Sequence, residues 1–237
     1  MPVDPWTSPT AFASSETATQ AFMAKVYRWM AGGLALTGVV AAVFASYLPA
    51  LLRSAAQNPG LGTALMVTFF ALMIGQFIMV VAFGRMVRSA SFAAVAAMFV
   101  AFCAVEGLFF SMLLLQYTGA SVASTFFITG GTFLAMSAYG TLTKKDLSSW
   151  SSFLMMGLVG VIIAGVVNLF LRSSAMEFVL ACAGVVIFTG LAAYDTQKIR
   201  AWADANDDRL ALSGALSLYL DFINLFLSLL RLLGKRR

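Results

Sequence analysis

Seven apolar segments, at about 26–48, 61–83, 91–115, 121–142, 152–171, 176–197 and 211–233, follow one another along a chain of 237 residues. Each is close to the roughly 20 residues an α-helix needs to cross the hydrocarbon core of a bilayer. Inside that core every backbone N–H and C=O must find its partner within the protein, which leaves helices or closed barrels. Continuous apolar runs, rather than alternation with a period of two, select helices. The sequence therefore predicts an all-α, polytopic membrane bundle of seven helices. Composition bears on the point directly: 61% of residues are hydrophobic and 11% charged, against about 45–50% and 25% in soluble domains.

Residues 1–22 are polar, rich in Ser and Thr, and hold three Pro but no Lys or Arg. Without a basic region ahead of an apolar run they do not read as a secretory signal. They read as a flexible cytosolic tail, with 23–237 as a single transmembrane domain. Connections such as "RSAAQNPGLG" and "RSSAME" are short and carry turn residues. The fourth segment, "SVASTFFITGGTFLAMSAYGTL", is dense in small residues, which let helices approach closely in lipid.

Lys and Arg give the orientation. Nine lie at the start of the first segment (Lys25, Arg28) and in the connections after the second, fourth and sixth; two, Arg53 and Arg172, lie in the others. The positive-inside tendency then puts the N-terminus in the cytosol. The tail "RLLGKRR" conflicts with this, because a seventh full crossing would carry its four basic residues to the other side. Either the last segment re-enters and returns, or six well-oriented spans override it. The net charge of +5 gathers at segment ends, with no basic patch of the kind that grips nucleic acid. There is no His, and Cys103 and Cys182 stand alone in apolar segments. A zinc site or a His-based catalytic centre is not expected, nor is any cofactor.

The last segment contains the most informative polar residues. Ser213, Ser217, Asp221, Asn224, Ser228 and Arg231 are spaced 4, 4, 3, 4 and 3 apart, which puts them on one helical face. A carboxylate in mid-membrane costs about 2.5–3.5 kcal/mol on insertion scales, so the stripe should face the bundle or a wet cavity. The seventh helix is accordingly expected at the centre. The serines read as interhelical glue, Asn224 equally as glue or as a pathway contact, and Asp221 as functional. Asp195, near the inner end of the sixth segment, and Arg85 or Arg88, at the inner end of the second, converge on the same side. Two close carboxyl groups would make a proton switch; in the plainer account Asp195 pairs with Lys198 along its own helix. Glu106, in the third segment, either contacts a cation on a pathway or bonds a hydroxyl while protonated. Glu177 and Asp146 sit at segment ends, where water reaches them.

Several stretches resemble one known family. "AAYDTQKIR" followed by "LYLDFINLFLSLLRLLG" is similar to the closing signature of the Bax inhibitor-1/YccA family. "FMAKVYRWMAGGLALTGVVA" resembles its first span, and "TKKDLSSWSSFLMMGLVGVIIAGVVNLF" its fourth loop and fifth span. The resemblance implies six helices around a central seventh. It also implies a pH-sensitive aspartate pair, here Asp195 and Asp221, latched by an Arg at the inner end of helix two, where Arg85 matches best. Family members are associated with a pH-dependent calcium leak, eukaryotic ones with suppression of cell death, and some bacterial ones with modulation of a membrane protease. Where some relatives carry an acid in helix two, this chain reads "ALMIGQFIMV", with Gln76 as the nearest polar residue. That departure weakens calcium selectivity unless Glu106 substitutes.

Two functions from different classes follow. One is a pH-gated leak for calcium or another cation. The other is a non-conducting regulator that contacts other membrane proteins within the bilayer. An intramembrane aspartyl protease is disfavoured, because the Gly-x-Gly-Asp sequence of those enzymes is replaced by "LYLD"; the chain is not expected to be an enzyme. The missing signal, the Ala-rich composition and the short loops suit a bacterial inner membrane.

Overall fold

The computed structural model describes residues 9–205 and 207–237, with side chains from Glu16 onward. Seven long helices follow in order: α1 (Pro9–Gln57), α2 (Pro59–Ser89), α3 (Phe92–Gln116), α4 (Gly119–Leu142), α5 (Ser151–Leu171), α6 (Ser174–Arg200) and α7 (Asp208–Leu233). All seven contain a stretch long and apolar enough to cross a membrane, and there is no strand among the described residues. The all-α polytopic architecture is therefore as the apolar pattern requires. Helix α1 begins at Pro9, inside the segment read above as a tail, and Phe22 is already buried; residues 1–8 lie outside the described residues.

The helix ends follow local chemistry. Asn58 caps α2 by accepting the Leu61 N–H at 3.2 Å, with Pro59 next to it at the first helical position. Ser91 caps α3 through the Ala94 N–H, and Ser173 caps α6 through the Met176 N–H, each at 3.3 Å. Pro49 lies inside α1 and has no N–H to offer the carbonyl of Ala45.

The chain divides into two compact units. One comprises the residues up to Met30 together with Ser124–Leu233; the other comprises Ala31–Ala123 and Gly234–Arg237. In the first, α6 packs on α7 and on α5. A Cβ at Gly184 of α6 would lie 3.2 Å from the Ser228 Cβ of α7, so the lack of a side chain at 184 makes room for that serine. Phe126 and Phe133 of α4 meet Phe222 of α7 edge to face, with ring centroids 5.5 and 5.6 Å apart. The most enclosed span is α7: 67% of its most apolar window is buried, against 6% for α5 and none for α2. Surface as apolar as that of α2 and α5 is stable only where hydrocarbon replaces water.

In the second unit α2 meets α3 through Phe69 and Phe109, centroids 5.2 Å apart. Helix α1 crosses α3 closely: a Cβ at Gly107 would sit 2.8 Å from the Thr37 carbonyl oxygen, and Thr37 Oγ1 donates to the Cys103 carbonyl at 3.0 Å. The C-terminal residues fold onto the α3–α4 connection. Lys235 N donates to Ser121 Oγ at 2.9 Å, Thr118 N to the Lys235 carbonyl at 3.1 Å, and Arg237 N to the Gln116 carbonyl at 2.9 Å. Tyr117 and Arg236 form an isolated antiparallel bridge. The tail is thus bonded to the α3–α4 connection, and α7 is one unbroken helix of 26 residues, with no turn within it.

Candidate functional site

The last turns of α6 read Tyr194-Asp195-Thr196-Gln197-Lys198. A step of 100° per residue aims successive side chains in different directions, and each of these finds separate surroundings. Asp195 lies close enough to Asp221 of α7 for the two carboxyl groups to act on each other electrostatically. Asp221 is 5% exposed, and its Oδ2 is buried with no hydrogen-bond partner. Lys198 is near enough to act electrostatically on both carboxyl groups. No salt bridge joins Lys198 to Asp195 among the described residues. The Lys198 Nζ instead stands over the Tyr194 ring at 5.7 Å from its centroid and over the Trp202 ring at 5.8 Å.

Thr196 turns the other way and is fully buried. Its hydroxyl donates to the Ala192 carbonyl at 2.7 Å and meets Ser137 Oγ of α4 at 2.8 Å. Ser137 in turn is bonded to the Tyr27 hydroxyl of α1. Gln197 ties α6 to the α4–α5 connection: its Oε1 accepts the Leu147 N–H at 2.8 Å and its Nε2 donates to the Lys145 carbonyl at 2.9 Å. Asp195 thus sits on a stretch of α6 held on two further sides. Sequence reasoning singled out none of Tyr27, Ser137, Thr196 or Gln197. The signal available for the last two was their position beside Asp195 in "AAYDTQKIR".

Between 211 and 228 of α7, the half-buried positions 213, 217, 220, 224 and 227 recur at helical spacing on the face that carries the polar stripe. Ser213, Ser217 and Asn224 are on this less covered side of an otherwise enclosed helix, while Asp221 and Ser228 are buried and Arg231 is exposed. Two of the stripe's groups bond back along their own helix. Asn224 Nδ2 donates to the Leu220 carbonyl and Ser228 Oγ to the Asn224 carbonyl, both at 2.8 Å. Thr189 Oγ1 of α6 is a second buried side-chain oxygen without a partner.

In the other unit, Glu106 of α3 is half-buried and accepts a hydrogen bond from the Gln76 amide of α2. The polar residue that stands in helix two is thus the partner of the acid in helix three. Arg85 and Arg88 are exposed in the last turns of α2, and neither enters a salt bridge among the described residues. No cluster of three or more metal-ligating side chains of the His, Cys, Asp and Glu type occurs among the described residues.

Outside the spans, Asp146 is exposed and accepts the Ser148 N–H at 2.8 Å and the Ser148 hydroxyl at 2.7 Å. These bonds, the backbone one first, hold its carboxyl below the usual aspartate range. Asp207 is held low in the same way, first by its side-chain bonds to Arg209.

The profile of the family described as "Inhibitor of apoptosis-promoting Bax1" matches residues 19–237. The chain is 40% identical over 225 residues to the Inner membrane protein YbhL of Escherichia coli, covering 92% of this chain and 93% of that one. It is 44% identical over 222 residues to the uncharacterized protein RP147 of Rickettsia prowazekii, covering 91% and 90%. An uncharacterized membrane protein of Streptococcus pyogenes is 33% identical over 230 residues, covering 94% and 96%.

Proposed function

The chain belongs to the Bax inhibitor family, and on that premise we propose that it forms a cation leak in the bacterial inner membrane, gated by the proton occupancy of Asp195 and Asp221. The observation that carries the reading is the carboxyl pair, one member from α6 and one from α7, with a buried oxygen of Asp221 left unpartnered. Two bare carboxylates have only acceptors to offer each other, whereas a proton on one lets it donate to the other. Removing that proton turns the bond into repulsion, and adding a second neutralises the pair. Each change alters how α6 meets α7, the most enclosed helix of the seven. Intramembrane acids are costly to keep unless they serve a pathway or a relay.

Glu106 and Gln76 supply a second polar position within the spans. A carboxylate and an amide oxygen are ligands for a hard cation such as calcium, and Asn224 on the less covered face of α7 offers another amide. These residues are the proposed cation contacts. The Lys and Arg count supports a cytosolic N-terminus, which puts the Asp195 end of α6 toward the cytosol.

The test is calcium flux into liposomes holding the purified protein, measured after a pH jump. Wild-type flux should depend on external pH, and Asp195→Asn and Asp221→Asn should each flatten or displace that dependence. Glu106→Gln should lower flux while leaving the pH profile in place. An unchanged flux and profile in Asp221→Asn sinks the gating reading. Flux no greater than in protein-free liposomes, with a membrane protein co-purifying, favours the non-conducting regulator. Arg85→Gln belongs in the same series; a profile like that of Asp221→Asn would join Arg85 to the switch.

A further inference from the structure

We propose that a cavity beside the C-terminal end of α6 binds the phosphate of an anionic lipid headgroup. The cavity has a volume of about 470 Å³ and lies between the α4–α5 connection and the last turns of α6, within the range of small-ligand sites. Lys144, Lys145 and Lys198 line it together with a single carboxylate, Asp146. None of the three lysines forms a salt bridge among the described residues. Asp146 accepts both the N–H and the hydroxyl of Ser148, so its charge is engaged in the turn that starts α5. The three lysines therefore outnumber the one carboxylate that lines the space.

The site is built rather than loose. Gln197 clamps the connection to α6 through Leu147 N and the Lys145 carbonyl, and the Arg200 guanidinium donates to the Thr141 carbonyl at 2.5 Å. Lys198 is held against the Tyr194 and Trp202 rings. Such prior ordering lowers the entropy cost of binding. A soluble phosphate and a lipid headgroup offer the same chemistry, and location favours the lipid. The lining residues stand at the ends of candidate spans, and Trp202 and Tyr194 are of the types that gather at headgroup level. Basic pockets between spans at the cytosolic side are suited to anionic headgroups.

The experiment reads lipid retention and is independent of any flux. Full-length protein in neutral detergent is titrated with phosphatidylglycerol, with phosphatidylcholine and with inorganic phosphate, and bound species are counted by native mass spectrometry. Wild type should retain phosphatidylglycerol over phosphatidylcholine, and Lys145→Gln/Lys198→Gln should weaken that retention roughly tenfold or more. The charge-matched Arg53→Gln/Arg172→Gln, at residues that do not line the cavity, should retain it. An unaltered melting temperature in phosphatidylcholine checks that each variant is folded. Equal loss in both variants overturns the proposal, as does equal retention in all three proteins. Inorganic phosphate that binds and displaces the lipid overturns the assignment to a headgroup.

Discussion

Thr196 of α6 and Ser137 of α4 bond hydroxyl to hydroxyl at 2.8 Å, and both are buried. Because the Thr196 hydroxyl already donates to the Ala192 carbonyl, Ser137 must donate to Thr196. The Tyr27 hydroxyl must then donate to Ser137. A directed chain of three hydroxyls thus joins α1, α4 and α6 one residue along from Asp195. Thr196→Val keeps the shape and removes the acceptor. It should lower stability by about 0.5–1.5 kcal/mol, the usual worth of such bonds in a membrane protein. Tyr27→Phe should cost no more, since it leaves Ser137 and Thr196 bonded. Chemical unfolding in mixed micelles measures both, and no loss in Thr196→Val would make the chain incidental.

The contact between Gly184 and Ser228 gives a second expectation. A methyl group at 184 meets the Ser228 side chain, and Ser228 Oγ cannot swing away without giving up its bond to the Asn224 carbonyl. Gly184→Ala should cost about 1–3 kcal/mol by overpacking. Adding Ser228→Gly should recover most of that. Double-mutant analysis of unfolding tests the pair, and additive losses would show that the two residues do not compete for one space.

The tail contacts predict which residues share a membrane face. With Cys103 and Cys182 replaced by Ala, single cysteines at Thr118 and Arg237 should label with an impermeant maleimide from one side, and a cysteine at Ser149 from the other. Labelling of the Ser149 and Arg237 positions from the same side would mean that α7 re-enters.

Asp146 has a pH dependence whose sign is fixed by its bonds. Its folded-state pKa lies below the ordinary 3.8, so the order it lends the turn is fully present above that value. The order is lost as pH falls through the lower, folded pKa. Carbon-detected NMR titration should therefore give a midpoint under 3.8. Ser148→Ala removes the hydroxyl bond and leaves the backbone one, so the midpoint should rise part of the way back. A wild-type midpoint at or above the ordinary value would mean that the turn is not capped in solution.

The polar stripe of α7 was legible in the sequence because helical periodicity projects residues three and four apart onto one face. The sequence did not show that this face would be the less covered side of α7, with Asp221 and Ser228 buried and Asn224 half-buried. Glu106 stood out as an acid among apolar residues and Gln76 as a polar residue in helix two. Their pairing depends on the rotation of α2 against α3, which neither segment encodes alone. Lys198 illustrates the same limit: spacing offered Asp195 as an ion-pair partner, whereas the side chain lies over Tyr194 and Trp202.

Seven spans, an intramembrane acid in each of α3, α6 and α7, and a striped last helix are properties of the chain's hydropathy and of 3.6-residue periodicity, and the sequence determined them by itself. Which amide meets Glu106, where the tail comes to rest and which lysines frame a cavity depended on the fold. Side chains far apart in the chain become neighbours only when small residues such as Gly184 and Gly107 let particular helix faces close on each other. Packing in lipid, where hydrophobicity no longer ranks one face above another, is what selects those faces.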